Sequence, residues 1–309
     1  MTKNKKNLTP KLPPFANEAR EGLLIVTMGA QADIEDEEGK RIHCHVRKNA
    51  DPIITGDRIY WLPEQDGTGT IIGHAPRKSL LSRLENSQKQ KLVAANIDAI
   101  IIVTAPFPPL SVEKIDRYLI AAENLNIPCI ILLNKADLLD PQNKESIKTA
   151  LEIYEKIGYP VLYSSTYTPD GLTNLQHYLD DKTCVLVGAS GVGKSSIIAK
   201  LTSGENIKIG DLSHSTQLGK HTTTSTRLYH LTKGGHLIDS PGVREFGIGQ
   251  LDKSQILQGF KEFKPYLKQC KFRDCYHQTE PGCAIKQAAS DKKISEERLQ
   301  SYYKILNDR

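Results

Sequence analysis

Apolar positions in residues 22–75 come in short alternating runs, GLLIVTMG, ADIED, RIHCHV, DRIYWL and GTIIGH, parted by Gly, Asp and Pro. A period of two between turn residues predicts five short strands, each with one face on a small core. So many strands in so short a span predict a β-barrel of the oligonucleotide-binding type (OB-fold), whose exposed face often binds nucleic acid. From Leu92 the pattern changes. Continuous apolar runs (AIIIVTA, PCIILL, PVLYSS, CVLVG, GHLID) alternate with segments of helical period (VEKIDRYLIAAENLN, ESIKTALEIYEKIG, GLTNLQHYL, GKSSIIAKL). Strands apolar on both faces, joined by crossover helices, imply a parallel α/β sheet. The expected organisation is multi-domain: a basic arm over 1–20, the barrel over 21–83, the α/β domain over 84–250, and a small α-helical domain over 251–309.

Length and composition agree with several cores. The chain has 309 residues, 39% hydrophobic and 25% charged, and no apolar run reaches the roughly 18 residues a membrane span needs. The lysine-bearing start, MTKNKKNLTPKLPPF, lacks the apolar stretch of a secretory signal. A cytoplasmic monomer without membrane contact is the expectation. The net charge is only +5, but the basic residues gather at the ends: Lys3, Lys5, Lys6, Lys11 and Arg20 stand against Glu18 in the first twenty residues. A basic arm suits phosphate-backbone contact; a solvated tail with no partner has the same composition. His43 and His45 share a strand face with no further ligand nearby, and read as surface or core histidines.

GASGVGKS, Gly188 to Ser195, fits G-x-x-x-x-G-K-[ST] between the strand CVLV and the helix SSIIAKL, the context a phosphate loop requires. Gly188, Ala189, Ser190, Gly191, Val192 and Gly193 would turn backbone N–H groups onto phosphate oxygens. Lys194 would neutralise the terminal phosphates, Ser195 would offer its hydroxyl to Mg²⁺, and Ser196 follows in the first helical turn. LIDSPG places Asp239 at a strand end, suited to hold Mg²⁺ through water, and Gly242 where its N–H meets a γ-phosphate. A strand followed by a plain turn would use the same residues. Between these motifs, LGKHTTTST offers Thr222, Thr223 or Thr224 as a further Mg²⁺ ligand, with Thr223 favoured; a Thr-rich loop with no such role reads alike.

NKAD supplies the base reader. The Asp137 carboxylate is an acceptor pair matching the N1–H and N2–H₂ donors of guanine, a pair adenine lacks. Asn134 would bond the N7/O6 edge, the Lys135 stem would cover the ring, and Ser164 and Ser165 would direct a backbone N–H at O6. A phosphate-loop ATPase or kinase would lack this reader. NKxD precedes the phosphate loop, whereas GTPases ordinarily run phosphate loop, DxPG, then NKxD. The chain therefore reads as a circular permutation, which leaves the site intact because strand ends assemble it in space.

After DSPG comes CKFRDCYHQTEPGC, with Cys270, Cys275, His277 and Cys283. Three thiols and an imidazole at this spacing look like a closed, structural zinc site. Free reduced cysteines are the alternative. Cys44, Cys129 and Cys184 lie in apolar strands and read as small buried residues.

NKAD, GASGVGKS, GKHTTT, DSPG and C-x₄-C-x-H-x₅-C together resemble the circularly permuted, ribosome small-subunit-dependent GTPases of bacteria, over nearly the whole chain from Gly22. The resemblance implies an N-terminal OB-fold, a C-terminal zinc domain, and GTP hydrolysis stimulated by the small ribosomal subunit, whose rRNA is bound during late maturation. Ras-like enzymes orient water with a Gln just after DxxG, where this chain has Val243. The family's candidate catalytic residue falls on His221, an imidazole suited to positioning water; with Lys194 and Thr223 it makes the expected catalytic set.

Overall fold

The computed structural model describes residues 18–48, 51–84, 90–202, 226–240 and 251–308. His221, Thr222, Thr223, Thr224 and Gly242, like most of the N-terminal arm, lie outside the described residues.

The five alternating runs form β1 (Arg20–Met28), β2 (Gln31–Asp36), β3 (Arg41–Val46), β4 (Arg58–Pro63) and β5 (Gly69–His74). Their order is β1-β2-β3-β5-β4, with β4 returning to β1, so the sheet closes into a barrel. The β3–β5 pairing is parallel and the others are antiparallel, as the OB-fold requires. Alternation decides what faces inward: Leu24, Ile34, Cys44, Ile59, Trp61 and Ile71 fill the barrel, while His43 and His45 point outward. A hairpin of β6 (Leu80–Leu84) and β7 (Gln90–Ala95) follows; the sequence pattern did not distinguish it.

The α/β domain is a sheet of β8 (Ala99–Thr104), β9 (Cys129–Leu133), β10 (Val161–Tyr163), β11 (Thr183–Val187), β12 (Arg227–His230) and β13 (His236–Asp239), in the order β10-β9-β8-β11-β13-β12. All pairings are parallel except β12–β13. Helices α1 (Val112–Leu125) and α2 (Lys144–Ile157) cover one face; α3 (Thr173–Leu179) and α4 (Lys194–Leu201) cover the other. Every residue of β8 and β9 is buried, which is why both read as unbroken apolar runs.

Contacts at both ends join this domain to its neighbours. Val26 of β1 pairs with Arg227 of β12, so barrel and α/β sheet form one continuous ladder. At the other end α5 (Lys253–Gln258), α6 (Ala284–Ser290) and α7 (Glu296–Asn307) surround a core of Phe260, Phe263 and Tyr302, which also receives Ile120 of α1. Arg298 of α7 is 2% exposed and bonds Asp116 of α1 and Glu262; Ser301 and Tyr154 also donate to Asp116. Burial opposes the Arg298 charge, yet the two carboxylates raise its pKa above the ordinary value. Removing one member of such a buried group typically costs about 3–5 kcal/mol, because the others keep uncompensated charge.

Candidate functional site

The phosphate loop connects β11 to α4. Gly188 has φ +142°, and a Cβ there would lie 2.2 Å from Val103 O; Gly193, at φ +98°, would put one 2.3 Å from Asn134 Nδ2. Both positions therefore exclude side chains, and the backbone turns tightly into the start of α4. Lys194 is buried and folds back over its own loop, donating from Nζ to Gly188 O and Ala189 O, each at 2.7 Å. Ser195 and Ser196 follow in the first turn of α4. The Tyr118 hydroxyl of α1 bonds the Gly188 backbone, so the docking helix of the C-terminal domain also walls the phosphate loop.

NKAD follows β9 and the two serines follow β10, beside the phosphate loop. Asn134 is 1% exposed, so its amide must find partners inside the protein. Its Nδ2 donates to Val192 O at 2.9 Å and its Oδ1 accepts from Ser164 Oγ at 3.1 Å. The side chain is thus a tie between the phosphate loop and the serine loop. Lys135 has φ +57° and reaches back to Gly191 O at 2.6 Å and Phe107 O at 3.0 Å, laying its stem across the cleft. The serine N–H groups bond Leu133 O and Gly171 O, each at 2.9 Å, so this loop does not present them to a base. The Ser165 hydroxyl is paired instead with the Asp137 carboxylate, a contact the sequence reading missed.

Asp239 ends β13, and Ser240 beside it accepts from Thr226 Oγ1 at 2.9 Å. A carboxylate at the end of β13 and the Ser195 hydroxyl in the first turn of α4 are hard oxygen donors, a set that fits Mg²⁺. Thr223, His221 and Gly242, expected to complete this end of the cleft, lie outside the described residues.

In the C-terminal domain the ligand atoms of Cys270, Cys275, His277 and Cys283 all lie within 4.8 Å of one another. His277 Nδ1 is 3.5 Å from Cys270 Sγ and 3.4 Å from Cys283 Sγ; a tetrahedral site with ordinary Zn–S and Zn–N bonds would set this edge at about 3.6 Å. Burial lowers the His277 pKa, which favours the neutral ring that can ligate. Tyr303 of α7 donates to His277 O at 2.6 Å and holds the loop from behind. The donor set fits a structural metal.

The RsgA GTPase family model matches residues 74–249, more than half of the chain. The chain belongs to the RsgA GTPase family. It is a GTP-hydrolysing enzyme with permuted motif order, as the resemblance drawn from its motifs implied. "Small ribosomal subunit biogenesis GTPase RsgA" of Ectopseudomonas mendocina is 45% identical over 289 residues, covering 92% of this chain and 84% of that one. The protein of the same name from Pseudomonas aeruginosa strain LESB58 is 45% identical over 285 residues, with the same coverage. Among solved structures, YjeQ from Thermotoga maritima aligns with a TM-score of 0.76 at 31% identity, covering 94% of this chain and 98% of that one. YloQ, a circularly permuted GTPase, aligns with a TM-score of 0.73 at 26% identity, covering 96% and 97%. Among the described residues no helix is long and apolar enough to cross a membrane.

Proposed function

We propose that this GTPase acts in late maturation of the small ribosomal subunit, binding the subunit through its rRNA and hydrolysing GTP when bound. What carries the reading is the name shared by relatives 45% identical over 92% of the chain. The barrel and the basic ends supply surfaces suited to a phosphate backbone. It works as a cytoplasmic monomer, and the metal of its Cys₃His site is zinc.

In the cleft, Asp137 reads the N1–H and N2–H₂ donors of guanine, with Ser165 holding the carboxylate and Lys135 covering the ring. Asn134 and Ser164 brace this loop on the phosphate loop. Residues Gly188 to Gly193 offer backbone N–H groups to the phosphates, aided by the first turn of α4 with Ser196. Lys194 leaves the loop carbonyls for the β- and γ-phosphates as nucleotide enters. Ser195 and Thr223, with Asp239 through water, would hold Mg²⁺, which would supply positive charge against the phosphates. Gly242 meets the γ-phosphate, and His221 orients the water that attacks phosphorus in line, releasing GDP and phosphate.

Slow turnover by the free protein, rising with small-subunit concentration, is the expected behaviour, because positioning rather than covalent chemistry limits phosphoryl transfer. With saturating subunits, His221→Ala should lower single-turnover hydrolysis by at least about 100-fold while GTP affinity holds. A wild-type rate in that variant removes the histidine's role, and turnover indifferent to subunits removes the proposed partner.

A further inference from the structure

The barrel loop between β3 and β4 is built more firmly than a connection needs. Asp57 is fully buried, paired with Arg77 through Nε–Oδ1 at 2.7 Å and Nη2–Oδ2 at 2.8 Å, and it also accepts from Ile54 N at 2.8 Å. Gly56 donates to Leu24 O, and its own carbonyl accepts from Asn96 Nδ2, both at 2.9 Å. A Cβ on Gly56 would lie 2.4 Å from Ala95 O, so the loop is pressed against β7 at a distance only glycine permits. Thr55 O accepts from Ala95 N at 3.0 Å. The residue so fixed, Thr55, is 1% exposed, and its hydroxyl points out of the barrel into the α/β domain.

There Thr55 Oγ1 donates to Thr226 O at 2.9 Å, and Thr226 Oγ1 donates to Ser240 Oγ at 2.9 Å. Thr226 is the last residue of LGKHTTTST and precedes β12; Ser240 directly follows Asp239 at the end of β13. Thr55 Oγ1, the carbonyl and hydroxyl of Thr226, and Ser240 Oγ make a relay from the barrel to the strand end that carries the Mg²⁺-side carboxylate. β1 pairs with β12 one residue along, at Val26 and Arg227, so the relay starts from a fixed seam.

We propose that Thr55 of the barrel is a positioning residue for the GTPase site, setting Asp239 for Mg²⁺ through Thr226 and Ser240. The barrel then tunes metal affinity in the catalytic cleft, and a ligand that moves the barrel loop changes how tightly Mg²⁺ retains nucleotide. The inference rests on the reading of Asp239 as a Mg²⁺-side residue.

The test is release of a fluorescent GDP from the full chain, followed against Mg²⁺ concentration, with GTP KM at saturating Mg²⁺ as companion. Thr55→Val keeps the shape and removes the donor; it should raise the Mg²⁺ concentration that half-slows release by about fivefold, the size of one hydrogen bond, and leave KM unchanged. Thr55→Ser should restore the wild-type curve. Ser240→Ala breaks the relay from the GTPase side without touching the barrel and should reproduce the shift, so a poorly folding Thr55→Val does not decide the matter. Thr70→Val, an equal change on the barrel surface, should do nothing. Asp239→Asn tests the underlying reading: an unaltered Mg²⁺ curve there overturns both. A shifted curve for Asp239→Asn with wild-type curves for Thr55→Val and Ser240→Ala overturns the relay alone.

Discussion

A carboxylate that selects guanine must have its orientation settled before the base arrives, since an unfixed Asp spends part of its binding energy on ordering itself. In the proposed guanine site this settling falls to Ser165, whose hydroxyl pairs with Asp137 across 28 residues of sequence. Asp137, Asn134 and Lys135 were legible because NKAD is contiguous, and its spacing alone announces the chemistry. The Ser165 hydroxyl was not, because the contact exists only once β9 and β10 lie side by side. The same holds for the ties of Asn134 to Val192 O and Ser164 Oγ, which likewise exist only once the loops meet. Ser165→Ala should therefore weaken GDP binding about tenfold, the worth of one hydrogen bond to a charged group, with phosphate-loop contacts intact. Asp137→Asn, which swaps an acceptor for a donor, should shift preference toward xanthine nucleotides. Titration with fluorescent guanine and xanthine nucleotides reads both, and unchanged guanine affinity in Ser165→Ala would return that hydroxyl to a purely local role.

Among the elements, α1 has the widest duties. Its Tyr118 bonds the phosphate loop, its Asp116 receives Arg298, and its Ile120 enters the core of the C-terminal domain. In the aromatic centre of that domain Phe260 and Phe263 stack at 4.8 Å, and Tyr302 meets them edge-on at 5.4 and 5.6 Å. Ligand spacing showed where a metal would sit but not how much of the domain depends on it. Cys283 belongs to the same buried core, Cys270 and Cys275 pack against it, and α7 holds the ligand loop through Tyr302 on Tyr276 O and Tyr303 on His277 O. Chelation should raise hydrogen exchange most over residues 268–286 and less over residues 296–307, because Arg298 anchors α7 to Asp116 and Glu262, away from the ligands. Elemental analysis of protein purified without chelator should return zinc. Exchange rising equally in both segments would make the metal the keystone of the whole domain, and protein purified without zinc would discard the assignment of the ion.

At the scale of the whole molecule, the order of motifs gave away the permutation, since NKxD before a phosphate loop has no other economical reading. The continuous apolar runs gave away the parallel sheet for the reason that β8 and β9 are buried throughout. The joint between barrel and sheet left no local trace: Val26 and Arg227 pair across some two hundred residues, and nothing in either neighbourhood signals the other. Yet that joint has thermodynamic weight. Ile25 of β1 belongs to the core beneath α1 and α2, not to the barrel core, and β1 covers the edge of β12. Burying an isoleucine contributes about 1.5–3 kcal/mol, and a bared edge strand offers unpaired N–H and C=O groups to other chains. A fragment running from Arg77 to the C-terminus should therefore keep every nucleotide motif and still self-associate, with a melting temperature below that of the full chain. Light scattering and thermal unfolding of the two proteins at equal concentration check this. A monomeric fragment with the full chain's stability would show that the GTPase sheet closes without its barrel, and that the shared ladder serves communication alone.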